Sequence, residues 1–132
     1  MIRDEIEKLA LTKISLDSPN QGSQKFCPEA AFIGFHGHFP GYPILPAMLQ
    51  VLFGIFVAEK ILAAKLVLKK LDKAKFMTQI MPGETLTVNC KIIQPPAKNP
   101  GETMPDREVK AQVTILVKGQ KAASMILLLR PE

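Results

Sequence analysis

The chain has 132 residues, 47% hydrophobic and 22% charged, which is enough for one domain with a real core and leaves little room for a second. A formal charge of +5 and a pI near 9.3 favour an acidic partner through long-range attraction, or simply a solvated basic surface. A nucleic-acid module fits poorly: aromatic residues make up 6% with no Trp, and the lysines are scattered or paired instead of forming an arginine-rich stripe, so an acidic protein partner suits the charge equally well.

Residues 1–8, MIRDEIEK, read as a frayed end or a short helix, and LALTKISLD (9–17) has enough alternation for a first strand. Ser18, Pro19, Asn20, Gln21 and Gly22 are turn chemistry, and GSQKFCPEAAFIGF (22–35) reads as a second strand broken at Pro28. Cys27 and Cys90 lie in strand-like contexts without metal-ligand spacing, and nothing near Met1 looks like a signal peptide. Free buried thiols in a reducing cytoplasm are the expectation.

From His36 to Ala58 there is no charged side chain. The apolar part, Ile44 to Ala58, is shorter than the roughly 18 to 20 residues that span a bilayer, and Pro46 and Gln50 interrupt it, so it predicts a buried central helix and no membrane insertion. Pro40, Gly41, Pro43 and Pro46 fix a tight loop ahead of it, with Pro46 in the first helical turn. Leu45, Met48, Leu49, Leu52, Ile55, Phe56 and Glu59 follow helical spacing, yet Val51, Phe53 and Val57 make the other side apolar too, which predicts burial all round. Gly54 in mid-helix costs up to about 1 kcal/mol relative to Ala, a cost that close backbone packing would offset. The helix is expected to end between Ile61 and Ala64.

Four strands follow, over 64–80, 84–94, 107–119 and 120–130, with Pro82-Gly83 punctuating the first pair and Lys118 to Lys121 forming a hairpin turn. Residues 95–106 are a long Pro-rich loop. The order implies a single α+β domain over 1–132, an antiparallel sheet wrapped around one long central helix, with an edge strand that a second subunit would cover.

The loop G-H-F-P-G-Y-P-I-L-P (37–46) gives the reading its specificity. It resembles the loop H-F-P-G-x-P-I/V-x-P-G of the 3-hydroxyacyl-(acyl-carrier-protein) dehydratases of fatty acid synthesis, with His38, Phe39, Pro40, Gly41, Pro43, Ile44 and Pro46 matching. LDKAKFMTQIMPGETL (71–86) is similar to the same family's second motif through Asp72, Lys73, Ala74, Phe76, Pro82 and Gly83. The resemblance covers roughly residues 22–130 and implies the hot-dog fold, an acyl carrier protein or coenzyme A thioester as partner, a homodimer or trimer of dimers, and no metal or redox cofactor.

It also implies roles. Dehydration needs a base for the C2 proton, and His38 stands at the family's catalytic histidine, where a pKa near neutrality suits the task. Phe39, Gly41, Pro46, Ala47, Met48 and Leu52 stand at substrate-binding positions, with the Ala47 and Met48 amides at a helix N-terminus facing the thioester carbonyl. The family's usual glycine after the last loop proline is here Ala47. Its helix acid, fourteen residues after the histidine, is here Leu52, and its helix glutamine is here Phe56.

Leucine cannot donate a proton, so an enzyme needs a substitute. Gln50 is an amide, a poor acid; Glu59 is on the face of Leu52 but about 10 Å along the helix axis; His36 shares a side with His38 if the segment is extended; and a residue donated across a dimer is the remaining source. Two functions therefore stay open: a hydro-lyase acting on 3-hydroxyacyl thioesters, or a non-catalytic acyl-thioester-binding or partner subunit that kept the loop and lost the acid. Acyl-chain length, the choice between carrier protein and coenzyme A, and the pathway are not legible in the sequence.

Overall fold

Along Val109, Ala111, Val113, Ile115 and Val117 every second side chain is buried, the pattern of a strand with one face on a core. Leu86, Val88, Cys90 and Ile92 repeat it on the neighbouring strand, and Met125, Leu127 and Leu129 on the other side. The computed structural model describes residues 2–29, 45–94 and 108–132. Within them the elements are α1 (Ile2–Lys8), β1 (Ser15–Ser18), β2 (Gln21–Phe26), α2 (Ala47–Leu62), β3 (Leu66–Phe76), β4 (Leu86–Gln94), β5 (Val109–Val117) and β6 (Gln120–Pro131). The strands form a six-stranded sheet in the order β1-β2-β4-β5-β6-β3, and every neighbouring pair is antiparallel.

The buried face of the sheet packs on α2. Gly54 packs directly on the sheet: a Cβ there would lie 3.1 Å from both γ-carbons of Val113 and 3.4 Å from Leu127 Cδ1. The expected close packing at this glycine is therefore present, and it explains why a poor helix former occupies mid-helix. Phe53 and Phe56 meet Phe26 of β2 edge-on, with ring centroids 5.0 and 6.1 Å away. Lys60 Nζ lies over the Phe56 ring and pairs with Glu7 of α1, which fastens the helix end to the N-terminal turn.

Several boundaries differ from expectation. Regular pairing in the first strand is confined to Ser15–Ser18, because Thr12 is drawn off the ladder: Gln24 Nε2 donates to the Thr12 carbonyl and Lys25 N–H donates to Thr12 Oγ1. Pro46 is the residue before the helix instead of part of its first turn, with φ −61° and ψ 150°. The helix ends as expected, with Ala63 left-handed at φ 52°.

Burial of α2 is one-sided in this chain. Val51, Phe53, Gly54, Ile55, Val57 and Ala58 are buried, while Leu49, Leu52 and Phe56 are half-buried and Met48 is 59% exposed. Cys27 is likewise half-buried, whereas Cys90 is buried as expected. Strands β3 and β4 are not neighbours: β3 pairs with β6 at the far edge, and the turn at Pro82-Gly83 belongs to a crossing connection. Lys118 and Gly119, at φ 53° and 77°, form the two-residue turn between β5 and β6 as expected. The end of the expected second strand and the Pro-rich loop lie outside the described residues.

Candidate functional site at the start of the central helix

The first N–H groups of a helix have no acceptor in the helix itself and carry the positive end of its dipole. In α2 these include Ala47 and Met48. The residue before them, Pro46, makes no side-chain capping hydrogen bond, and the first turn contains no acidic residue to neutralise the dipole. This helix end is therefore suited to a carbonyl oxygen or an anion.

A second segment is brought against it. Leu45 N–H donates to the Ile80 carbonyl at 2.8 Å, which ties the helix entrance to the stretch after β3. That stretch is held from the other side by a bulge. In the β5–β6 ladder Ile115 pairs with Ala123 and Leu116 with Lys121, so Ala122 is the extra residue. Its carbonyl accepts N–H bonds from both Met77 and Thr78, at 2.8 and 3.2 Å. Between the two walls lies a cavity of about 250 Å³ lined by Leu45, Pro46, Ala47, Gln50 and the run Phe76, Met77, Thr78, Gln79.

Of the sequence-derived site residues, Pro46 and Ala47 line this cavity. Met48 and Leu52 do not; Met48 is exposed, and Leu52, like Phe56, is half-buried against the core. Glu59 is engaged at the opposite end of the helix, its Oε2 accepting the Leu66 N–H at 2.9 Å, which places it in a structural role. His36, His38, Phe39 and Gly41 lie outside the described residues. Phe76, Met77, Thr78 and Gln79 also line the cavity, and their one sequence signal is that they fall within the 71–86 motif. The signal for Gln50 is a polar residue inside the apolar run from Ile44 to Ala58.

Neither cysteine is activated. Burial pushes the Cys90 thiol up to about 12, and burial together with the Glu29 carboxylate that accepts its hydrogen bond raises Cys27. Among the described residues no group of three or more His, Cys, Asp or Glu could hold a metal ion, and no helix is long and apolar enough to cross a membrane.

The fold places the chain in the hot-dog class. The dehydratase heterocomplex ApeI:P from Xenorhabdus doucetiae superposes with a TM-score of 0.68 at 17% identity, over 92% of this chain and 96% of that one. Thioesterase superfamily member 2 from Mus musculus gives the same TM-score at 14% identity, over 97% and 85%. These likenesses define architecture and not chemistry, since one is named a dehydratase and the other a thioesterase.

Sequence narrows the class. The family model of the ApeI-like dehydratases matches residues 17–116, and the chain belongs to that family. Among curated relatives, the 3-hydroxyacyl-(acyl-carrier-protein) dehydratase FabZ of Petrotoga mobilis is 32% identical over 67% of this chain and 70% of its own length. FabZ of Desulforamulus reducens is 36% identical over 46% of this chain and 47% of its own length, so the chain spans about half the length of some relatives it matches. The resemblance read from the two motifs is borne out.

Proposed function

We propose that the protein is a hydro-lyase of the 3-hydroxyacyl thioester dehydratase type, acting on an acyl group carried by an acyl carrier protein or coenzyme A. The observation that carries this reading is the uncapped, acid-free N-terminus of α2 opening on the cavity beside Ala47, in a chain of a dehydratase family. The thioester carbonyl oxygen takes the Ala47 and Met48 N–H groups, which stabilise the enolate charge that develops when the C2 proton leaves. His38 removes that proton, and Phe39 and Gly41 contribute to substrate binding. Departure of the 3-hydroxyl needs a proton donor, which His36 or a residue of a second subunit supplies.

A charged carrier domain or the phosphates of coenzyme A would meet a surface with a net charge of +5. The partly exposed apolar side of α2 supports a homodimer, or a trimer of dimers built from it. A cytoplasmic setting, with no metal or redox cofactor, is part of the same proposal. So is a single hot-dog domain over 1–132.

A second reading is favoured by Leu52 and Phe56, which stand where the family's motif has its acid and its glutamine: a subunit that binds acyl thioesters without turning them over. The ApeI:P structure is itself named a heterocomplex. Hydration of crotonyl thioesters and dehydration of 3-hydroxyacyl thioesters, followed by enoyl absorbance, separate the two. Wild-type turnover that falls by about 10²- to 10⁴-fold in His38→Ala supports the enzyme. Equal rates in both proteins would sink the base assignment, and binding without turnover favours the subunit.

A further inference from the structure

Gln50 is only 3% exposed, and its two amide atoms are treated differently by the fold. Its Nε2 donates to the Leu45 carbonyl at 3.2 Å, which fixes the amide with the oxygen as the remaining acceptor. That oxygen, Oε1, is buried and has no hydrogen-bond partner among the described residues. Leaving such an acceptor unpaired is unfavourable, so a group that relieves it gains a corresponding advantage. Gln24 Oε1 is also unpaired, but it stands on β2 beside Thr12, away from the helix entrance.

Position gives the orphan oxygen its meaning. Gln50 is three residues after Ala47 on α2, hence on the same face, and helical side chains lean back toward the N-terminus. Both residues line the cavity between α2 and the Phe76 to Gln79 segment. The site therefore offers donors, the first-turn N–H groups, next to a single buried acceptor. A ligand that satisfies both needs a carbonyl oxygen and, close by, a hydroxyl or N–H. A 3-hydroxyacyl thioester has its hydroxyl two carbons from the thioester carbonyl, so one short segment of ligand meets both demands.

We propose that Gln50 is a specificity-determining residue whose Oε1 accepts a hydrogen bond from the 3-hydroxyl of a bound acyl thioester, while the α2 N-terminus holds the thioester carbonyl. This rests on the acyl-thioester reading above and adds to it a named contact for the hydroxyl. It does not make Gln50 an acid: the amide oxygen only accepts, so it selects and orients the hydroxylated ligand, and the proton for the leaving hydroxyl comes from elsewhere. A cavity of about 250 Å³ lies below the usual 300 to 1,000 Å³ of a complete ligand site, so short acyl groups are the appropriate probes.

The test compares 3-hydroxybutyryl-coenzyme A with butyryl-coenzyme A, which has the same thioester and pantetheine amides but lacks the hydroxyl, by calorimetric titration of the full chain. Wild type is expected to bind the hydroxylated ligand about tenfold more tightly. In Gln50→Leu and Gln50→Met the ratio of the two affinities falls to about onefold. A wild-type circular-dichroism spectrum shows that each variant is folded, and Gln50→Met serves if Gln50→Leu does not fold. Equal wild-type affinity for both ligands, or a preference that survives in the variants, would overturn the Gln50 assignment alone. Failure of wild type to bind either ligand would overturn the acyl-thioester reading with it.

Discussion

Leu52 and Gln50 are two residues apart and occupy different settings. Gln50 is buried at the cavity, while Leu52 is half-buried and does not line it. An acid at position 52 would therefore stand outside the set of residues that line the cavity. Introducing a charge there is tolerable because the side chain is not sealed from water. Leu52→Glu is expected to raise dehydration of 3-hydroxyacyl thioesters by about 10²-fold or more over wild type. An unchanged rate in a folded variant would show that the missing acid is not what limits turnover.

At the same scale, Cys90 links stability to pH. Its thiol is held neutral in the fold, with a pKa raised from 9.0 to about 12 by burial. Below pH 9.0 both folded and unfolded chains keep the proton, and the residue makes no difference. Between 9.0 and about 12 the unfolded chain loses its proton first, so stability falls as pH rises through that window. Denaturant unfolding of wild type and Cys90→Ala across this range should show a steeper loss for wild type. Alkylation of Cys90 at pH 8 should require unfolding, since burial protects both the atom and its proton.

At the scale of elements, α2 and the β5–β6 pair were legible because each obeys a local rule: an apolar run with a proline at its entrance, and a Lys-Gly turn between alternating strands. Gly54 shows how the two depend on each other. Gly54→Ala would gain up to about 1 kcal/mol of helix propensity but forces a methyl against Val113 and Leu127, an overpacking cost of about 1 to 3 kcal/mol. A net loss in thermal stability is expected, and Val113→Ala in the same chain should recover part of it. Additivity of the two changes in a double-mutant cycle would rule out the contact as the cause.

The Ala122 bulge could not have been read from the sequence. Ala122 and Ala123 look like two ordinary strand residues, and only the pairing of Ile115 with Ala123 and of Leu116 with Lys121 makes one of them extra. Its carbonyl then fixes Met77 and Thr78, and so one wall of the cavity. The expected strand through 64–80 stops at Phe76 for the same reason: beyond it the backbone bonds to the bulge instead of continuing the ladder.

Across the whole molecule, the apolar side of α2 and the cavity rim leave exposed hydrophobic area, with Met48 at 59%, Met77 at 51% and Phe76 at 39%. The edge strand β3 is guarded by Lys69, Lys70, Lys73 and Lys75 and by an irregularity at Lys73, whose φ is 48°. A homodimer that covers the apolar side would bury Met48 and Met77. Light scattering should find a dimer that Met48→Arg with Met77→Arg converts to monomer; a wild type that is monomeric at micromolar concentration would refute the dimer.

The amino-acid sequence by itself determined the class of fold, the buried central helix and the family, because periodicity, turn chemistry and the two loop motifs are local properties of neighbouring residues. Only the tertiary structure decided which side of α2 is buried, that β3 lies beyond β6 and not beside β4, and that Gln50 lines one cavity with the Phe76 to Gln79 segment. An all-round apolar helix carries no preferred face in its sequence, and strand order follows from which edges can pair once the core has closed. Those long-range choices turn one polar residue in an apolar run into a buried acceptor at the helix entrance.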